Sequence, residues 1–294
     1  MTYPSRRSFL ASAAIAPLLP AVAKSADPVK SAAAKFKLGL VTYNVAANWD
    51  LPTVLDICKR VGIAAVECRT THKHGVEPKL SADERKKVKR QFADAGVVFW
   101  GCGSVCEFHS DDPKVVAKNV EDCKQFIGLV KDLGGSGVKV RPNGMVKGKS
   151  VEASCEQIGK ALIECGKAAA DAGVEIWVEV HGAVTALPKN MKLIMDACGH
   201  KSVGVTWNSN DSDLVDGKLD EGFKLLKDHI KSCHITDLTK DKAGKYPYRD
   251  LFGRFKAMGY DRYTLCEYPK SFDPEAGEKF LTEYKRLWEE LVKG

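Results

Sequence analysis

The sequence predicts an α/β protein of the (β/α)₈ class, a single-domain TIM barrel over residues 36–294. Eight short β-rich runs recur along the chain, and segments with helical spacing of apolar residues alternate with them. Parallel strands need crossover helices, and closing the sheet removes both edges. An open doubly wound sheet is disfavoured, because residues 40–44 (LVTYN) lead out of the first run without a Gly-x-Gly-x-x-Gly turn.

The runs and their punctuation follow in order. The first, 36–43 (FKLGLVTY), precedes Leu51, Val54, Leu55 and Cys58 at helical spacing, with Gly62 at the helix end. The second, 63–68, is followed by Ser81 and Glu84, a capping box, and by Gly96. Asp112-Pro113, after the third run at 97–100, places a capping carboxylate before a proline suited to a first turn. Run four is 138–141, and Gly173 introduces run five at 174–180. Run six, 203–207, leads to Phe223, Leu225, Leu226 and Ile230, then to run seven at 231–235. Gly259 precedes run eight at 263–266, and Asp273-Pro274 opens the last helix.

The N-terminal segment is read apart from the fold. Ser5-Arg6-Arg7-Ser8-Phe9-Leu10, an apolar run to Val22 and the pattern Ala21-Val22-Ala23 predict a twin-arginine signal over 1–23. The expected location is periplasmic or otherwise exported, reached through the twin-arginine export machinery. Pro17 and Pro20 interrupt the apolar run, which is too short for a stable membrane span. Residues 24–35 read as a flexible lead-in.

Composition narrows the partners. The net charge is +7, and removing Arg6 and Arg7 leaves +5, with lysines scattered over amphipathic segments rather than gathered in a stripe. No nucleic-acid surface is therefore expected. Several of the ten cysteines (Cys68, Cys102, Cys233, Cys266) lie within apolar strand-like runs, so most are read as small core residues rather than disulfide partners. Cys102 and Cys106 lack a second pair with zinc-ligand spacing.

In a barrel the chemistry stands at the carboxyl ends of the strands. The last four runs end with Glu179, Asn208, His234 and Glu267, separated by 29, 26 and 33 residues, each about one βα unit. One oxygen or nitrogen donor per successive strand makes an open coordination sphere suited to Mn²⁺, Mg²⁺ or Co²⁺, with Zn²⁺ as a further candidate. Glu179 and Glu267 are flanked by apolar residues that offer no compensating charge, which favours a metal or acid/base site over unrelated polar residues.

The strings IWVEVHG, VGVTWNSND, KSCHITDL and GYDRYTLCEYP resemble the closing half of the xylose isomerase-like barrel superfamily. That group includes sugar phosphate isomerases/epimerases, ketose 3-epimerases and inosose dehydratases. The resemblance implies that Glu179, Asn208, His234 and Glu267 hold one divalent ion. Asn208 departs from the family's usual Asp and removes a negative charge; Asn210 or Asp211 are the neighbouring substitutes. The implied reaction is isomerisation or epimerisation of a keto-sugar or related polyol through a metal-stabilised enediolate, Glu179 serving one face and Glu267 the other. Two alternatives stay open: a lyase or dehydratase of keto-sugars or keto-glycosides, inosose dehydratase-like, and a non-catalytic sugar-binding barrel. A trinuclear-zinc nuclease is set aside, since seven histidines are too few and too scattered.

Strand alternation directs His181 to the pocket side with Glu179. Arg141, His109, Glu107, His74 and Asp211 are further candidates for substrate contact, with His72 completing a polar set after runs two and three. Trp100, Trp207 and Tyr268 offer ring faces to a sugar, and Asp237 is the candidate to orient His234 from behind. Pairing of barrels into homo-oligomers is common in such families, and nothing in the sequence decides it.

Overall fold

The computed structural model of the chain describes residues 1–2 and 33–294. The expected twin-arginine signal from residue 3 onward, and the lead-in up to residue 32, lie outside the described residues. Eight parallel strands close in chain order: β1 (Lys37–Val41), β2 (Ala65–Arg69), β3 (Val98–Gly103), β4 (Gly137–Val140), β5 (Glu175–Glu179), β6 (Val203–Trp207), β7 (Ile230–Ile235) and β8 (Tyr263–Cys266). The helices between and after them are α1 (Leu51–Val61), α2 (Ala82–Ala95), α3 (Pro113–Leu133), α4 (Val151–Ala172), α5 (Pro188–Cys198), α6 (Asp220–Leu226), α7 (Tyr248–Ala257) and α8 (Pro274–Lys293). The chain is a (β/α)₈ barrel. No helix among the described residues is long and apolar enough to cross a membrane.

The punctuation acts as its chemistry requires. Ser81 and Glu84 form a reciprocal capping box on α2, while Asp112 and Asp273 accept backbone N–H bonds at the starts of α3 and α8. Gly62, Gly96 and Gly173 end α1, α2 and α4 in the left-handed conformation. All ten cysteines are buried and unpaired, in keeping with small core residues.

Two cores result from the strand period of two. Outward residues such as Val138, Val178, Cys233 and Cys266 join the helices in the larger core. Inside the barrel, Val41, Ala65, Trp100, Trp177 and Leu265 form a separate cluster, with Trp100 and Trp177 stacked at 4.8 Å. A Cβ at Gly137 would run into the Trp177 ring, so this glycine makes room for the indole.

The inward series can be read strand by strand: Ala65, Glu67, Arg69 on β2; Gly137, Lys139, Arg141 on β4 and just past it; Glu175, Trp177, Glu179 on β5; Tyr263, Leu265, Glu267 on β8 and just past it. The N-terminal end of the barrel is closed by Glu175, which accepts bonds from Arg262 Nη1 (2.6 Å), Lys231 Nζ (2.9 Å) and Trp177 Nε1 (2.9 Å). The aromatic layer above it leaves charged side chains at the C-terminal mouth.

Candidate metal centre

Glu179, His234 and Glu267 each present a ligand atom within 4.8 Å of the others, inside the mouth of the barrel. Glu179 and His234 are buried and Glu267 is partly so. His234 Nδ1 lies 3.3 Å from Glu267 Oε2 and 3.9 Å from Glu179 Oε1. Asn208, just past β6, donates from Nδ2 to Glu179 Oε1 at 3.2 Å. The four residues expected at successive strand ends are thus brought together.

Two residues carried by no motif complete the constellation. Glu67 of β2 is fully buried and meets His234 Nε2 at 3.2 Å. It does from behind the ring what was expected of Asp237, whose carboxylate instead accepts from the Thr239 backbone and hydroxyl in the following turn. Lys139 of β4 places its ammonium 2.7 Å from Glu179 Oε2, with both side chains buried. The signal for both was available: a charged residue flanked by apolar ones inside a strand, the same pattern that marks Glu179.

The electrostatics follow from this crowding. Burial works against charge on Glu179, but Lys139, then His234 and His181, outweigh it and pull its carboxyl down to about 2. Burial likewise opposes charge on His234, yet Glu267 and Glu67 lift it to about 10, so the imidazole is protonated at neutral pH when no metal is bound. Three carboxylates then face two cations.

The donor set fits a divalent ion. Asn208 Oδ1 is buried without a hydrogen-bond partner, on a side chain that already touches Glu179 of the Glu179–His234–Glu267 cluster. Buried polar atoms left unmatched carry a cost that a ligand relieves. Loss of one proton from His234 and arrival of a doubly charged ion would balance Glu67, Glu179 and Glu267 against Lys139.

A cavity of about 550 Å³ opens over this cluster. It is lined by Glu179, His181, Asn208, Asn210, Asp211, Asp237, Glu267 and Tyr268 among the anticipated residues, and by Tyr43, Arg69, Lys139, Thr236 and Lys240 in addition. Arg141 lines it too while pairing with Glu107 at 2.8 Å.

Other expectations for the pocket are corrected. Trp207 sits between the inward Thr206 and Asn208 and therefore points outward, where it is fully buried and donates to Tyr246 Oη at 2.9 Å. Trp100 lies in the aromatic layer below, against Trp177 and Tyr263. His74 spends its ring on backbone, with Nε2 donating to Arg69 O (2.9 Å) and Nδ1 accepting from Val76 N (3.0 Å); burial lowers it to about 4, so it is a neutral structural histidine. His72 is stacked under Tyr43, outside the cavity lining. Glu107 and His109 line a neighbouring surface depression instead of the central cavity. The loops after β2 and β3 thus carry His72, His74, Glu107 and His109 clear of the central cavity lining.

The sequence pattern of the xylose isomerase-like TIM barrel family matches residues 55–285, well over half of the chain. The chain belongs to that family. Among solved structures with this family's architecture, it is similar to the 3-keto-D-glucoside 4-epimerase YcjR of E. coli in its apo form, with a TM-score of 0.69 at 15% identity, covering 85% of this chain and 99% of that one. It is similar to the D-psicose 3-epimerase of Clostridium cellulolyticum H10 with D-tagatose, with a TM-score of 0.74 at 12% identity over 88% and 100% of the two chains. An IolI protein with a bound zinc atom gives 0.65 at 18% identity over 87% and 98%. No curated protein sequence matches the chain significantly. At such identities these likenesses speak to the fold.

Proposed function

We propose that this family member is a divalent-metal-dependent isomerase or epimerase of keto-sugars or related polyols. The observation that carries the reading is the convergence of Glu179, His234 and Glu267 within 4.8 Å, beside unpartnered Asn208 Oδ1, at the catalytic end of the barrel. Sugar epimerases among the structural neighbours, and the zinc atom of the IolI structure, support it.

Glu179, Asn208, His234 and Glu267 would hold the ion, which when bound supplies Lewis-acid stabilisation of charge developing on a substrate carbonyl oxygen. The protein's part is proton traffic. In epimerisation one ionised carboxylate accepts the proton from the carbon next to the carbonyl as that C–H bond breaks, and the other, which enters the step protonated, gives its proton to the opposite face. Glu179 is tied by Lys139 and Asn208 and fixed in place. Glu267 is the less encumbered carboxylate, with its side chain 15% exposed to the cavity.

A lyase acting on the same carbanion is the second reading, and His181 favours it. This imidazole lines the cavity two residues beyond Glu179 and has Nδ1 buried without a partner, so it is placed to protonate a departing hydroxyl or alkoxyl oxygen. Export through the twin-arginine route, proposed from residues 1–23, would bring a metal-loaded protein already folded to an extracytoplasmic substrate.

The test is elemental analysis of purified protein together with turnover on a keto-sugar panel. Stoichiometric Mn, Mg, Co or Zn, lost in Glu179→Gln and Glu267→Gln, with epimer or elimination products formed, supports the reading. A wild type that takes up no metal from excess ions refutes it and leaves the binding-barrel alternative.

A further inference from the structure

The cavity has two chemically distinct walls. Donors for a hard cation come from β5 to β8, whereas the ends of β2 and β4 present guanidinium groups, Arg69 and Arg141. Each arginine stands two residues beyond an interior charged residue, Glu67 or Lys139, and is therefore one layer nearer the mouth. In a closed barrel with strands in chain order, β2 to β4 lie across the mouth from β6 to β8.

The two arginines differ in how far their charge is answered. Arg141 Nη2 pairs with Glu107 at 2.8 Å, but its Nε is buried with no partner. Arg69 forms no ion pair among the described residues. Its Nη1 donates to the Thr70 carbonyl at 2.8 Å, and its guanidinium lies 5.8 Å from the centre of the Tyr43 ring. Burial, and then the charge of Arg141, pull Arg69 below the usual guanidinium range, while Glu179 and Glu67 partly offset this. A half-buried guanidinium that shares a cavity wall with a second one, and feels its charge, is an unfavourable arrangement unless an anion answers them, and the planar fork of arginine matches a carboxylate or phosphate in two parallel bonds.

We propose that Arg69 and Arg141 form an anion subsite, and that the substrate is an acidic sugar whose carboxylate binds there while its carbonyl end reaches the Glu179–His234–Glu267 cluster. The chemistry shared with a sugar phosphate is the anion at the end distant from the carbonyl. A carboxylate is favoured, since the subsite offers a guanidinium fork and a tyrosine ring and no glycine-rich phosphate cradle. The inference rests on the proposed function for what happens at the carbonyl end, but the anion preference is a binding property measurable without turnover.

The experiment is calorimetric titration of the Mn²⁺-incubated full-length protein with three matched probes: D-fructose, D-fructuronate and D-fructose 6-phosphate. Wild type, Arg69→Met, Arg69→Lys and Arg69→Met/Arg141→Met are compared, with metal content and thermal unfolding measured on each. In the wild type D-fructuronate is expected to bind at least about ten-fold tighter than D-fructose, as a charge-assisted bidentate contact implies. Arg69→Met removes most of that preference, the double variant removes the rest, and Arg69→Lys keeps part of it, the preference being read as the ratio of the uronate and D-fructose affinities within each variant. Equal binding of D-fructose and D-fructuronate, or a preference that survives in the double variant, overturns the subsite. Tighter binding of the 6-phosphate than of the uronate overturns the carboxylate assignment and transfers the subsite to phosphate. An anion preference in protein that takes up no metal upholds the subsite and sinks the metal-dependent reading instead.

Discussion

Lys139 Nζ stands 2.7 Å from Glu179 Oε2 at the centre of the candidate metal centre, and both side chains are 4% exposed. A divalent ion bound as proposed would therefore compete with this ammonium for the same carboxylate. Lys139→Met leaves Glu179 charged and buried with its closest cation gone, held by Asn208 and more distantly by His234, and removing one partner of such a pair costs about 3–5 kcal/mol. Denaturant unfolding of the metal-free variant should show that loss, and added Mn²⁺ should narrow it. Metal affinity should rise in the variant, as titration would show; a fall would mean that Lys139 positions Glu179 for the ion.

Metal uptake should be linked to pH through His234. Glu267 and Glu67 hold this imidazole protonated up to about 10, against an ordinary value of 6.5, so an ion must displace a proton to use Nδ1. Affinity should climb about ten-fold per pH unit between pH 7 and 9, with about one proton released per ion in weakly buffered titrations. The same shift gives the metal-free protein a stabilising contribution that is complete below pH 6.5 and lost as pH rises through 10. A flat affinity over pH 7–9 would show that His234 is not a ligand.

Asp213 supplies a second pH signature away from the metal centre. Its Oδ2 accepts from Tyr246 Oη and from Asn210 N, both at 2.8 Å, while Oδ1 is buried with no partner. Burial pushes this carboxyl up to about 7, only partly opposed by those two bonds. The native state thus binds the proton more tightly than the unfolded chain, and the contribution to stability is complete below about pH 4 and lost as pH rises through 7. Asp213→Asn keeps an acceptor for both donors without the charge. It should be more stable than wild type at pH 8 and lose that advantage at pH 4.5 in urea unfolding.

The opposite end of the barrel provides a control. Arg262, Trp177 and Lys231 hold the Glu175 carboxyl down at about 2 in spite of burial, so its contribution is present above pH 4.5 and lost as pH falls through 2. Glu175→Gln should move the acid-unfolding midpoint upward while leaving metal content unchanged. A loss of metal would show that the two ends of the barrel are coupled.

How much of this was legible in the sequence differs between backbone and side chains. Glycines after helices, capping residues before them and the alternation of apolar periods are local chemistry, and they alone determine that the chain makes eight βα units and closes them into a barrel. The four strand-end residues Glu179, Asn208, His234 and Glu267 were legible for the same reason, since a strand end is a local feature that the barrel places at one mouth. The apolar flanks of Glu67 and Lys139 mark them as interior charges, but the partners they meet were not legible. Glu67 and Lys139 approach Glu179 and His234 from chain positions 40 to 167 residues away, across the barrel interior. Trp207 and His74 were drawn away from the site by partners that only the packed structure supplies, while Asp237 stayed on the cavity wall but turned to Thr239 rather than His234. Tertiary structure decided these cases because closing a barrel sets distant inward positions face to face, and a buried charge or N–H takes whichever partner then stands within about 3 Å.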